Sequence, residues 1–343
     1  MRRDLTAPAG EIRRFTIESR TLAGNPLGDP TTRELHLYLP AGYSEGRPLP
    51  LLVDLVGFTG SGQSHTNWRA FTESAPERLD RLIHEGRMGP VAVAFPDCYT
   101  RLGGNQYINS AGTGRYADYL IDEVVPFVEQ RFAVGGPGRR GCFGKSSGGY
   151  GAIVHALKHA DFWSAAACHS GDMAFDICYL YDMPSTLREL AKHGSSIEKF
   201  VTHFEQSKKP TEKEINVIMM LAMAAHYDPD PSAFLGLRLP VDLGTCALIP
   251  ERWDNWLKHD PLRLLTTHAA NLKKLKGLYI DCGNEDQFHL QYGARQLSKA
   301  LEALNIAHVY EEFADDHSSV DYRMDVSLPF LERALAKSCD RPS

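Results

Sequence analysis

From residue 13 the chain alternates apolar and polar positions twice, in RRFTIESRTL (13–22) and RELHLYLPAGY (33–43), with the turn-forming GNPLGDP between them. A period of two on each side of a Gly/Pro/Asp break predicts an antiparallel strand pair at the edge of a sheet. PLLVDLVG (50–57) and VAVAFPD (91–97) are nearly continuous apolar runs, the pattern of strands buried on both faces. WRAFTESAPERLDRLIHEG (68–86) and RYADYLIDEVVPFVEQRF (115–132) have helical periodicity. RRGCFG (139–144) predicts a short strand, SGGYGAIVHALKHA (147–160) a helix, and FWSAAACHSG (162–171) another strand.

The alternation then stops. From about Asp172 to Leu265 the segments LRELAKHG, IEKFVTHFEQS and EKEINVIMMLAMAAHY are helical in pattern, with DPDPSAF and LRLPVDLG as breakers. Strand–helix order resumes with KGLYIDCG (276–283), a helix through YGARQLSKALEALN, the strand HVYEEF (308–313) and a last helix to near Lys337. This order predicts an α/β fold: a mostly parallel central sheet with helices on both faces and a helical cap insertion. Residues 1–171 and 266–343 make the core, and 172–265 the cap.

Composition narrows the function classes. The 343 residues are 43% hydrophobic and 23% charged, with a net charge of −6 and no long basic run. That is an ordinary globular composition and argues against a nucleic-acid partner, which favours a basic face. No stretch approaches the roughly 20 apolar residues of a membrane span, and MRRDLTAPAGEIRRF lacks the apolar core of a signal peptide, so the expected location is the cytoplasm. Homo-oligomer formation stays open. The seven cysteines, Cys98, Cys142, Cys168, Cys178, Cys246, Cys282 and Cys339, form no C-x-x-C pair and are expected to be reduced, mostly buried thiols.

The candidate chemistry sits in GCFGKSSGGYGA (141–152). Gly144-Lys145-Ser146 resembles the end of a phosphate-binding loop, but G-x-x-x-x-G-K-[ST] requires a glycine at 139, which is Arg139. One extra residue changes how the backbone N–H groups wrap a phosphate, so that reading fails. Gly144-Lys145-Ser146-Ser147-Gly148 also fits G-x-S-x-G, and here it falls between a predicted strand and a predicted helix. That context makes Ser146 a candidate nucleophile, with glycines where strand and helix must pack closely.

A serine needs a base and an orienting acid. LYIDCGNEDQF puts Glu285 and Asp286 past one late strand, and FADDHSSVDY puts His317 past the final one. The order Ser146, Asp286, His317 is the one expected of a nucleophile elbow. Asp286 is favoured over Glu285 because it lies further from the strand, where the loop can turn back; His169 and His289 are the rival histidines. The oxyanion donors are assigned to the N–H groups of Ser147 and of Phe58, in the glycine-rich VGFTGSGQS.

With LVDLVGFTGSGQS, GKSSGGYGA, YIDCGNEDQF and ADDHSS in place, residues 50–171 and 276–335 resemble the putative-esterase branch of the α/β hydrolases, which includes S-formylglutathione hydrolases, feruloyl esterases and enterochelin esterases. The resemblance implies the catalytic roles of Asp286 and His317, oxyanion donors at Phe58 and Ser147, and no cofactor. Two departures stand out: Lys145-Ser146-Ser147-Gly148 replaces the His-Ser-Met-Gly of S-formylglutathione hydrolases, and those enzymes lack the long insertion. The expected activity is therefore hydrolysis of a small or medium carboxylic ester through an acyl-enzyme. A thioesterase, lactonase or acyltransferase with the same triad, or a non-catalytic binding protein, is the alternative.

INVIMMLAMAAHY (215–227) is apolar nearly all round and must be buried, more readily as cap core than as substrate lining. Trp253 and Trp256 are candidates either to line a pocket or to anchor the cap. His169 and Asp172, leaving the strand at 162–168, and Tyr107, in GGNQYINS, are candidate substrate contacts. DDH at 315–317 suggests no metal site, since adjacent residues rarely chelate together.

Overall fold

The computed structural model describes residues 6–336, so Cys339 lies outside the described residues. Strands β1 (Glu11–Glu18) and β2 (Thr32–Leu39) pair antiparallel, with Glu11 opposite Leu39 and Glu18 opposite Thr32. Asn25 closes the connection: its side-chain amide donates to the carbonyls of Leu22 and Asp29 and accepts from the Asp29 N–H. Strands β3 (Leu51–Leu55), β4 (Ala92–Pro96), β5 (Arg140–Lys145), β6 (Ala165–His169), β7 (Gly277–Gly283) and β8 (Val309–Phe313) complete an eight-stranded sheet of order β1-β2-β4-β3-β5-β6-β7-β8. β2 runs antiparallel to β4, and every pairing beyond it is parallel.

All five residues of β3 and of β4 are buried. Because successive side chains point to opposite faces, Leu51, Val53 and Leu55 join one core while Leu52 joins the other. The smaller core is covered by the helix Ala75–His84, through Leu79 and Leu82, and by the C-terminal helix Met324–Ala336, through Leu328, Leu331 and Leu335. The larger core lies under the helix Ser147–Lys158 and is continuous with the apolar side chains of the insertion, Met220, Leu221 and Trp256 among them.

Three sequence expectations change. The 68–86 periodicity yields a helix only over Ala75–His84, because Ser74 caps it with Glu77 and Phe71 adopts a positive φ of 63°. The 115–132 helix contains a π-helical segment at Tyr119–Val124. Pro126 has no N–H to return to Asp122, and a wider turn upstream absorbs that loss. The boundary at 265/266 cuts the helix Pro261–Leu272, which packs on Ser147–Lys158 and leads into β7. Asp260 caps that helix through the Leu262 N–H, so the core resumes there.

The insertion contains the helices Met183–Ala191, Ile197–Gln206, Glu212–Tyr227 and Pro250–Leu257. Glu212–Tyr227 starts at a capping box between Thr211 and Glu214 and buries residues around its whole C-terminal half. Among the described residues, no helix is long and apolar enough to cross a membrane. The six described cysteines are free thiols, five of them buried, with Cys246 partly exposed.

Candidate active site

β5 ends at Lys145, and the next residue, Ser146, has φ 58° and ψ −124°. A serine with positive φ outside the left-handed helical region is strained and persists only when its surroundings hold it. Here they do: the Ser146 N–H donates to the His169 carbonyl at 2.9 Å, and the Tyr150 N–H closes on the Ser146 carbonyl at 2.8 Å. The flanking glycines are steric necessities. A Cβ at Gly148 would lie 1.7 Å from the Leu55 carbonyl oxygen, and one at Gly144 would lie 2.1 Å from the same atom. The turn thus lifts Ser146 to the floor of a cleft of about 330 Å³ at the carboxyl ends of β3 and β5.

His317 lines the same cleft. Its Nδ1 lies 2.7 Å from Oδ2 of Asp286, whose side chain is fully buried and whose Oδ1 accepts the Phe288 N–H at 2.9 Å. The Gln287 side chain accepts the His317 N–H, and the Phe288 ring meets the imidazole edge to face at 4.9 Å. Nδ1 is engaged by the carboxylate, so Nε2 is the nitrogen left for proton transfer. Glu285, the neighbouring acid, is exposed. His289 packs edge to face on Tyr181 instead.

The glycine-rich segment after β3 forms the opposite wall, with Gly57, Phe58, Thr59 and Gly60. A Cβ on Gly57 would stand 3.6 Å from the Ser146 Cβ, so this backbone passes directly beside the serine. The Phe58 ring is held in a notch over Gly103, where a Cβ would come within 2.7 Å of it. Ser147 is the first residue of its helix, where backbone N–H groups have no intrahelical acceptor. The backbone that carries the two assigned oxyanion donors therefore runs beside the serine on both sides.

Five other candidates are placed elsewhere. Tyr107 is buried, and its hydroxyl donates to the Val56 carbonyl at 2.6 Å, bracing the oxyanion wall from behind. His169 has both ring nitrogens engaged, Nδ1 with Asp281 at 2.7 Å and Nε2 with Ser327 at 2.8 Å, because β6 pairs with β7 and sets His169 opposite Asp281. Trp253 donates to Asp176, and Trp256 is fully buried against Tyr179 and Tyr227, so both pack within the insertion. Asp172 lies beneath the cleft, accepting from the Tyr179 hydroxyl at 2.9 Å and from Gln106, whose Nε2 also donates to the Ser147 hydroxyl.

Burial raises the Asp172 carboxyl from its ordinary 3.8 to about 6, against the lowering pull of the Tyr179 hydrogen bond and of His317. The folded-state value lies above the unfolded one, so the group favours folding only while protonated. That contribution is full below the unfolded value and is lost as pH rises through about 6, on the order of 3 kcal/mol in all. Thermal melts of Asp172→Asn should therefore show a stability advantage over the parent that is larger at pH 8 than at pH 5. An advantage that grows on acidification would contradict this account.

Several cleft residues are not among the sequence candidates: Ser64, His65, Arg69, Asn216, Met219 and Asp321. Only Asp54, an acid inside the apolar PLLVDLVG, signals one of them, because it pairs with His65. Among the described residues there is no group of three or more His, Cys, Asp or Glu side chains able to hold a metal ion.

The fold is shared with solved structures. A ferulic acid esterase superposes with a TM-score of 0.60 at 17% identity, covering 95% of this chain and 99% of that one. The fluorophosphonate-binding serine hydrolase F of Staphylococcus aureus gives 0.58 at 18% identity, with 96% and 100% covered. An S-formylglutathione hydrolase from Agrobacterium tumefaciens gives 0.57 at 16% identity, with 96% and 97% covered. At these identities the likeness speaks for the fold, and the family model named "Putative esterase" speaks for the lineage. That model matches residues 30–327, most of the chain, and so the protein belongs to the putative esterase family, carboxylic ester hydrolases on the α/β-hydrolase fold.

Proposed function

We propose that the chain is a serine esterase that cleaves a small or medium carboxylic ester through an acyl-enzyme. Ser146 Oγ attacks the carbonyl carbon while His317 Nε2 takes its proton, and Asp286 holds the imidazole in the required tautomer. The N–H groups of Phe58 and Ser147 receive the negative charge that develops on the carbonyl oxygen. Collapse breaks the bond to the alcohol, which leaves with the proton from His317. Water, deprotonated by the same histidine, then releases the acid and restores Ser146.

One observation carries this reading: a strained, glycine-flanked Ser146 shares one cleft with a histidine whose other nitrogen is held by a buried carboxylate. The expected signature is a burst of p-nitrophenolate, on mixing with a p-nitrophenyl ester, approaching one equivalent per chain where deacylation is slow. Intact-mass and peptide analysis should place the acyl group on Ser146. Turnover with acylation on another residue would overturn the assignment. Added alcohols in the same assay separate hydrolysis from acyl transfer, and a panel with feruloyl, lactone and thioester members separates the acyl classes.

A further inference from the structure

Resting on that reading of Ser146, the cleft also suggests what kind of ester it accepts. Lys145 immediately precedes the serine and lines the same cleft with Arg69 and His65. Arg69 reaches Asp321 at 3.3 Å, and His65 is hydrogen-bonded to Asp54, an acid buried behind the cleft wall. Burial alone would lower the His65 imidazole, but the Asp54 carboxylate outweighs that and holds it above its ordinary value. Each of these two basic side chains thus has its own carboxylate.

Lys145 does not. Among the described residues, no hydrogen bond or ion pair engages its ammonium, although the side chain is partly buried. Burial holds the ammonium below its ordinary value, against the opposing pull of Asp321 and of Asp286. Asp321 already faces Arg69, Asp286 is buried beneath His317, and Asp316, which also acts on the ammonium from a distance, is exposed and accepts the Ser318 N–H instead. A half-buried cation without a partner has lost hydration and gained no direct contact in return, a cost that a bound anion removes. The acidic chain therefore keeps a surplus positive charge beside its candidate nucleophile.

We propose that the substrate is an ester carrying an anionic group, a carboxylate or phosphate close to the reacting carbonyl, and that Lys145 pairs with that group. Lys145 acts as a specificity-determining residue.

The test uses matched esters. On the acyl side, 4-nitrophenyl hemiglutarate is compared with 4-nitrophenyl valerate. On the alcohol side, the butyrate ester of 4-hydroxyphenylacetate is compared with that of its amide. The parent enzyme should prefer the anionic member of at least one pair by about tenfold in kcat/KM, the scale of one charge-assisted hydrogen bond. The pair that shows the preference identifies the portion bearing the charge. Lys145→Met should bring the ratio close to one, Lys145→Arg should retain most of it, and added salt should erode it. Thermal melts establish that both variants are folded.

A parent enzyme with no anionic preference in either pair overturns the inference, as does a preference that survives in Lys145→Met. Neutral esters keep the two claims separate. If the parent hydrolyses them and Ser146→Ala does not, the serine chemistry stands whatever the charge preference turns out to be.

Discussion

Ser146→Ala should lower the turnover of simple p-nitrophenyl esters by about 10³-fold or more while the protein stays folded. The size follows from what is removed. Without the hydroxyl, no acyl-enzyme forms, and only binding and the oxyanion donors remain to assist attack by water. The substitution leaves the helix Ser147–Lys158 and the hydrogen bonds of the Ser146 backbone unaltered, so folding should survive. Steady-state rates and circular dichroism on the same preparation decide the matter. A folded variant within tenfold of the parent would end the case for Ser146 as nucleophile.

The second large effect distinguishes two adjacent acids. Asp286→Asn should cost about 10³–10⁴-fold in kcat, whereas Glu285→Gln should change it by no more than about twofold. Oδ2 of Asp286 accepts from His317 Nδ1; an amide NH₂ there would donate instead, favouring the tautomer with its proton on Nε2 and blocking proton transfer from Ser146. Glu285 is exposed, and its side chain is outside the cleft lining. A comparison of kcat for both variants at fixed pH is sufficient. Loss confined to Glu285→Gln would move the acid role by one residue.

Part of this site was legible in the sequence because it is local. The strand–turn–helix pattern around Ser146 depends on residues within a few positions, and Gly144 and Gly148 mark a close approach whose reason is the Leu55 carbonyl. Asp286 and His317 are marked in the sequence only by their positions after late strands. The distance from a strand end could rank Asp286 above Glu285, but it could not measure which carboxylate turns inward.

Other assignments depended on side-chain direction, which chain order does not encode. Tyr107 and Asp172 follow strands and His169 ends one, yet each is buried in the protein. Tyr107 braces Val56, His169 bridges Asp281 and Ser327, and Asp172 joins the buried Tyr179 and Gln106. Trp253 and Trp256 left two roles open, and the partners they found, Asp176, Tyr179 and Tyr227, belong to the cap. The helix 68–86 shortened for a related reason: its amphipathic period continued upstream of Ser74, but a capping box is a stronger local stop than period alone.

By itself, then, the sequence determined the order of strands and helices, the edge pair, the inserted helical segment and the turn that carries Ser146. These depend on short-range periodicity and on steric limits between near neighbours. Only the tertiary structure decided which acid meets His317, which candidates turn inward, and that Lys145, Arg69 and His65 line one cleft. Those residues come from chain segments far apart in sequence brought together by parallel strands, and electrostatic pairing depends on distances in space that no local pattern records.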